Sequence, residues 1–231
     1  MFLPFHCLVK AGKPTELNLY LWLAAIIRHI STVKNKIKEL IEKEIRGIKN
    51  IPVTDNFEKA INLLYTKVHK RKSKVVCSGI GKAGQIALNI ATTFSSTGTP
   101  AVFLHPSEAQ HGDLGVIQEN DALLLISNSG KTREIIELLG LAKRLYKHIP
   151  VIVITGNADS IIAKEADVVL LTGASPEIDS FKLVPTTSTT IMSIIGDVLV
   201  VLMMEKIKFT KEQYSKLHHG GYIGTKTREK R

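Results

Sequence analysis

Cysteine is nearly absent: Cys7 and Cys77 are the only two, far apart, and Cys77 sits in the apolar run Lys74-Val75-Val76-Cys77. That excludes a disulfide framework and predicts a reduced, buried thiol in a cytoplasmic protein. Metal-ligand spacings are missing too. Neither H-x-x-x-H nor C-x-x-C occurs, so His111, Asp113 and the pair His218-His219 are not expected to hold a required metal. Apolar stretches of membrane-spanning length, about 20 residues, are also lacking. Ile191–Met204 is shorter and contains Asp197, so it reads as a core helix. Leu17–Ile27 is apolar, but Lys10, Lys13 and Glu16 precede it, Arg28 and His29 follow, and no small-residue cleavage pattern comes after it. A soluble protein without a membrane partner is expected. No internal repeat is visible, and the only low-complexity tract is Thr186-Thr187-Ser188-Thr189-Thr190.

Acidic residues are scarce at the ends rather than throughout. Net charge is +10, but residues 1–74 hold 15 Lys/Arg against 6 Asp/Glu, while residues 75–210 hold 10 against 13. A basic excess confined to the ends fits solvated helix faces and the tail Thr225–Arg231 better than a nucleic-acid surface, so no nucleic-acid partner is expected.

With 231 residues and 44% hydrophobic content, the chain has material for one substantial core. Residues 1–31 show no clear periodicity and read as an extension, 32–224 as the domain, and 225–231 as a basic tail. From Thr32, Val33, Ile37, Leu40, Ile41 and Ile45 recur at helical spacing, and Asp55 is placed to cap a second helix. Short apolar runs at Lys74–Ser78, Ala101–His105, Asp121–Ser127, Pro150–Thr155 and Asp167–Leu171 then alternate with helical stretches near 82–96, 132–147 and 160–166. Five strands with intervening helices predict an α/β, three-layer αβα sandwich on a five-stranded parallel sheet, flavodoxin-like or Rossmann-like. Such sheets bind ligands at the carboxyl ends of their strands.

The polar clusters fall at those ends. His105–Gly115 packs two imidazoles (His105, His111), two carboxylates (Glu108, Asp113) and two glycines into one connection, a density of titratable groups that suits proton transfer. Gly79-Ile80-Gly81-Lys82-Ala83-Gly84 matches G-x-G-x-x-G, but His105-Pro106 stands where a dinucleotide site needs a ribose-binding acid, and Val76 stands where a Walker A loop needs glycine. No nucleotide or other cofactor is therefore expected. A cation in the first helical turn opposes the macrodipole, so Lys82 points to an anionic or carbonyl-bearing ligand. Ser127-Asn128-Ser129-Gly130-Lys131-Thr132 leaves the third strand and enters a helix, a phosphate cradle needing no metal. Glu134 follows one turn later. Pro185–Thr190 opens the long apolar helix; one of its hydroxyls should cap it, and Thr187 or Ser188 could add a phosphate contact. Glu177 is either a surface carboxylate or a base, and Asp197 is expected to be a buried structural group.

Taken in order, Gly79–Lys82, Ser96–Pro100, His105–Gly115, Ile126–Gly130 and Pro185–Thr190 resemble the sugar isomerase (SIS) domain, and more closely its arabinose 5-phosphate isomerase members, over roughly Lys34–Gly224. The resemblance implies interconversion of D-arabinose 5-phosphate and D-ribulose 5-phosphate through an enediol(ate), supplying the acidic sugar Kdo of lipopolysaccharide or capsule. It implies Lys82, His111, Glu134, Glu177 and His218 as catalytic residues. Gly81, Glu108, Ser127, Asn128, Ser129, Thr132, Thr187 and Ser188 become substrate or phosphate contacts. The base, Glu134 or Glu177, is expected to have a raised pKa. A homotetramer with sites completed by neighbouring subunits is implied; a separate expectation, compatible with isomerase activity, is CMP-Kdo as a feedback ligand at the same site. The chain departs from the family at Ala83, at Ser180–Val184 and at His219, where the family has serine, Pro-Leu-Gly-Leu-Ala and proline. Many members carry CBS domains beyond this point; with its last residue at Arg231, this chain is expected to lack them. The competing expectations are a phosphosugar-binding regulator without chemistry, or an isomerase for a longer sugar phosphate.

Overall fold

Strands covered on both faces need no polar alternation, and the five apolar runs become β1 (Val75–Ser78), β2 (Ala101–Phe103), β3 (Ala122–Ile126), β4 (Val151–Thr155) and β5 (Val168–Leu171). The computed structural model describes residues 16–220. All pairings are parallel, in the order β2-β1-β3-β4-β5. The helices in chain order are α1 (Glu16–Lys49), α2 (Asn56–Leu64) with a π-helical turn Tyr65–Lys70, α3 (Gly81–Ser96), α4 (Pro106–Ala109), α5 (Arg133–Leu145), α6 (Ile161–Lys164), α7 (Thr187–Lys206) and α8 (Lys211–Leu217).

Two compact units divide between Ile45 and Arg46. The first holds most of α1, which begins at Glu16, well before the Thr32 start that periodicity suggested. On it Glu39 pairs with Lys36 at 2.9 Å and Lys43 at 2.8 Å. Cys7 and the tail Thr225–Arg231 lie outside the described residues.

In the second unit, alternate residues of β1, β3 and β4 build two cores. Leu124, Ile126, Ile152 and Ile154 face α3 and α7, while Leu123, Leu125, Val151 and Val153 face α5 and α6, giving the expected three layers. Cys77 is fully buried, and burial pushes its thiol pKa far up. Helix α7 is long and apolar enough to cross a bilayer by length and composition, yet it packs on α3 and α2. Asp197 corrects its expectation: it lies exposed on the outer face of α7 beside the exposed Val198 and Val201. Asp55 precedes α2 without a capping hydrogen bond; Thr54 turns the chain instead, its carbonyl accepting from the Phe57 amide at 3.2 Å.

At the amino edge, fully buried Asp121 gathers β1 and β3. It accepts from Ser73 Oγ at 2.5 Å, the Lys74 amide at 3.2 Å, Lys74 Nζ at 2.8 Å and the Gln118 amide at 2.8 Å. An Asp121→Ala variant takes the acceptor from two part-buried amides, while the Lys74 ammonium reaches water. Urea denaturation should show a loss of about 2 kcal/mol at unchanged m-value; a loss within experimental error would mean that water replaces the carboxylate.

Candidate active site

In a doubly wound sheet the ligand crevice opens where strand order reverses. Here that point lies between β1 and β3, neighbours with Ser78 opposite Leu125, because the chain passes from β1 outward to β2 and from β3 the other way to β4. Helices α3 and α5, on opposite faces of the sheet, both start at this crevice.

The glycines after β1 are structural as well as permissive. A Cβ on Gly84 would sit 2.7 Å from the Gly79 carbonyl oxygen, so the turn closes only without side chains there. Gly81 takes φ +60° and faces open space. Lys82 is exposed and has no partner among the described residues, and α3 has neither a side-chain cap nor an acid in its first turn.

After β3, buried Ser127 forms the floor of the next turn. Its Oγ lies 2.7 Å from Thr132 Oγ1 and accepts from the Gly130 amide at 3.2 Å, while Ser129 Oγ accepts from the Lys131 amide at 3.1 Å. Gly130 has φ +64°, and a Cβ there would collide with Ser160. Thr132 precedes α5 without capping it, so its side chain leaves the amides of that first turn open.

Asn128 ties this turn to the next two strands. Its carbonyl accepts from the Gly156 amide at 2.9 Å and from Thr155 Oγ1 at 3.2 Å, and its side-chain oxygen accepts from Thr172 Oγ1 at 3.2 Å. Asn157 Nδ2 donates to the Ser129 carbonyl at 3.2 Å. Sequence reasoning singled out none of Thr155, Gly156, Asn157 and Thr172. The available signal was small residues at or just beyond the ends of β4 and β5.

The two candidate bases differ sharply. Glu134 is half-buried in the first turn of α5 and its carboxylate accepts no hydrogen bond among the described residues. Glu177 is saturated: it accepts from the Thr186 amide at 2.8 Å, Thr186 Oγ1 at 3.0 Å, the Ser188 amide at 3.2 Å and Ser188 Oγ. Burial pushes its pKa up, but the hydrogen bonds from Ser188 and Thr186 outweigh that and leave it below the ordinary value, the reverse of the expected raise. Glu177 thus closes the start of α7, where one of the tract's own hydroxyls was expected; Thr186 makes no side-chain cap. Thr187 and Ser188 are buried, and Ser188 Oγ is committed to Glu177.

Glu108 and His111 lie exposed beyond β2, on α4 and the turn after it. His218 is not brought to this edge. Its Nδ1 lies 3.0 Å from the Tyr214 carbonyl oxygen and its ring stacks on Tyr214 at 3.7 Å; Tyr214 meets Phe209 edge-on, and Phe209 covers Gly98, beyond the carboxyl end of α3. Lys82 starts that same helix, whose 16 residues span about 24 Å. Among the described residues, no group of three His, Cys, Asp or Glu is placed to hold a metal.

The family model of the SIS domain matches residues 67–202, more than half of the chain. The chain belongs to the SIS domain family. A Bacteroides fragilis NCTC 9343 protein, a proposed phosphosugar isomerase involved in capsule formation, is 60% identical with TM-score 0.81, over 82% of this chain and 99% of that one. Escherichia coli CFT073 c3406, solved in complex with arabinose 5-phosphate, is 33% identical with TM-score 0.76, over 81% of this chain and 98% of that one. The arabinose 5-phosphate isomerase KdsD of Francisella tularensis is 39% identical over 194 residues, 83% of this chain and 58% of the relative. The chain spans little more than half the length of the curated relatives it matches.

Proposed function

We propose that this SIS domain is an aldose–ketose isomerase interconverting D-arabinose 5-phosphate and D-ribulose 5-phosphate. The observation that carries the reading is an anion cradle, Ser127–Thr132 at the start of α5, flanked by Lys82 and Glu134, whose side chains are not hydrogen-bonded among the described residues. The arabinose 5-phosphate complex of the c3406 relative supports the substrate. Ser127, Asn128, Ser129 and Thr132 hold the phosphate. Glu134 removes the proton alpha to the carbonyl, because its lone pairs are available where those of Glu177 are not. Lys82 stabilises the oxygen on which enediolate charge develops. The same proton or one from solvent returns to the adjacent carbon, with His111 assisting ring opening.

His218, far from this edge in its own chain, serves a neighbouring copy's site in a homotetramer. The product feeds Kdo synthesis in the cytoplasm, for capsule or lipopolysaccharide, and CMP-Kdo competes at the same pocket. The capsule role of the Bacteroides fragilis relative supports that placement.

The test is isomerisation of arabinose 5-phosphate by EDTA-treated protein, with a thermal-shift measurement alongside. Turnover supports the proposal. Thermal stabilisation without turnover would replace it with a phosphosugar-binding regulator, and neither effect would direct the search to longer sugar phosphates.

A further inference from the structure

One carboxylate ties the turn carrying His111 to the helix carrying Glu134. Gln110 Nε2 donates to Glu137 Oε2 at 2.7 Å across 27 residues of chain, and Arg133 Nε donates to Glu137 Oε1 at 2.7 Å. Both oxygens are therefore engaged, and the bonds from Arg133 and then Gln110 hold the carboxyl below its ordinary range. Glu134 and Glu137, three residues apart, are neighbours on one face of α5. Helix α4, from which the His111 turn emerges, packs on α5.

Gln110 immediately precedes His111, whose amide donates to the Glu108 carbonyl at 2.9 Å. Gly112 follows at φ +122°, a conformation that L side chains rarely adopt, with nothing within 4 Å of where a Cβ would be. On its far side, then, His111 adjoins a glycine hinge in open space; on its near side, the Gln110 side chain holds it. We propose that Glu137 is a positioning residue: through Gln110 it clamps the His111 turn against the face of α5 that bears Glu134, setting the distance between imidazole and base. The proposal rests on the isomerase reading.

An exposed ion pair contributes little to stability, so the variants should fold. Geometry is where the effect lies, since a displacement of about 1 Å at a reacting group costs up to about 10²-fold in rate. The test compares wild type, Glu137→Ala, Glu137→Gln, Gln110→Ala and the Glu137→Ala/Gln110→Ala double variant. Two measurements are made on each, steady-state isomerisation of arabinose 5-phosphate and amide hydrogen exchange over residues 105–115.

Glu137→Ala and Gln110→Ala should each lower kcat about tenfold with KM within about twofold, and the double variant should be no worse than either. Glu137→Gln should keep most of kcat, because its amide oxygen still accepts from Gln110. Exchange over 105–115 should be faster in Glu137→Ala. Unchanged exchange overturns the clamp whatever the rates do. Faster exchange with unchanged kcat, a rise in KM alone, or additive losses in the double variant overturns its role in turnover. A wild type that does not turn over would remove the isomerase reading and the positioning role with it, while exchange would still decide whether the clamp exists.

Discussion

Replacing Lys82 with alanine should lower kcat by about 10²–10³-fold, the range for removing one donor to a developing oxyanion, and should leave the unfolding temperature unchanged or slightly higher. The two halves of that expectation have one origin. Lys82 is exposed, has no partner among the described residues, and places a cation in the first turn of α3 with no acid beside it. A positive charge there opposes the helix dipole and costs about 0.3–1 kcal/mol. Folding alone therefore gives no reason for a lysine at this position, and turnover gives one. Progress curves and thermal unfolding on the same preparation check both halves. Activity within about threefold of wild type would remove Lys82 from the transition state. A clear fall in unfolding temperature would mean instead that the side chain has a structural partner in the assembled protein.

Legibility from sequence followed locality. All five strands could be read, because parallel strands buried on both faces are short unbroken apolar runs, and Ala122–Ile126 and Val151–Thr155 have no polar residue before their last position. The turns that follow β1 and β3 were legible for a related reason: a strand, a glycine or serine cluster and a helix start occupy one short window. The start of α1 was not legible, since residues 17–27 are apolar apart from Asn18 and carry no clear helical period.

Contacts that cross many residues left no such trace. Asn128 meets Thr172 across 44 residues and Gln110 meets Glu137 across 27, and nothing in the polar residues themselves says which of their many possible partners the topology will supply. The same limit applies to His218. Composition places an imidazole pair before two glycines, but which edge of the sheet it reaches depends on α7 running back from the carboxyl edge and on α8 turning at Phe209. Asp197 shows the converse error. An acid within an apolar helix suggests a buried, paired group only if the whole helix is enclosed, and α7 leaves one face exposed.

Glu177 is where sequence and geometry part most usefully, and its variants separate anchor from base. As an anchor it accepts from two backbone amides and two hydroxyls at the start of α7. Glu177→Ala leaves those amides open and should cost about 2 kcal/mol, the upper range for losing a helix cap. The pH dependence has a definite sign. Because the folded pKa lies below the ordinary 4.5, the unfolded chain binds the proton more tightly, so this stabilisation is complete above about pH 5 and is lost as pH falls through the folded value. Urea denaturation of wild type and Glu177→Ala should show a constant gap from neutrality down to about pH 5 that narrows in more acid solution. A gap that persists undiminished in acid would show that the carboxylate's charge is not what holds α7. Kinetics supply the second axis. Glu177→Gln keeps an acceptor for Thr186 and Ser188 and should lower kcat less than about tenfold, whereas Glu134→Gln removes the proton acceptor itself and should lower it about 10³-fold. The reverse ranking would make Glu177 the base, and would require substrate to break its hydrogen bonds before the proton moves.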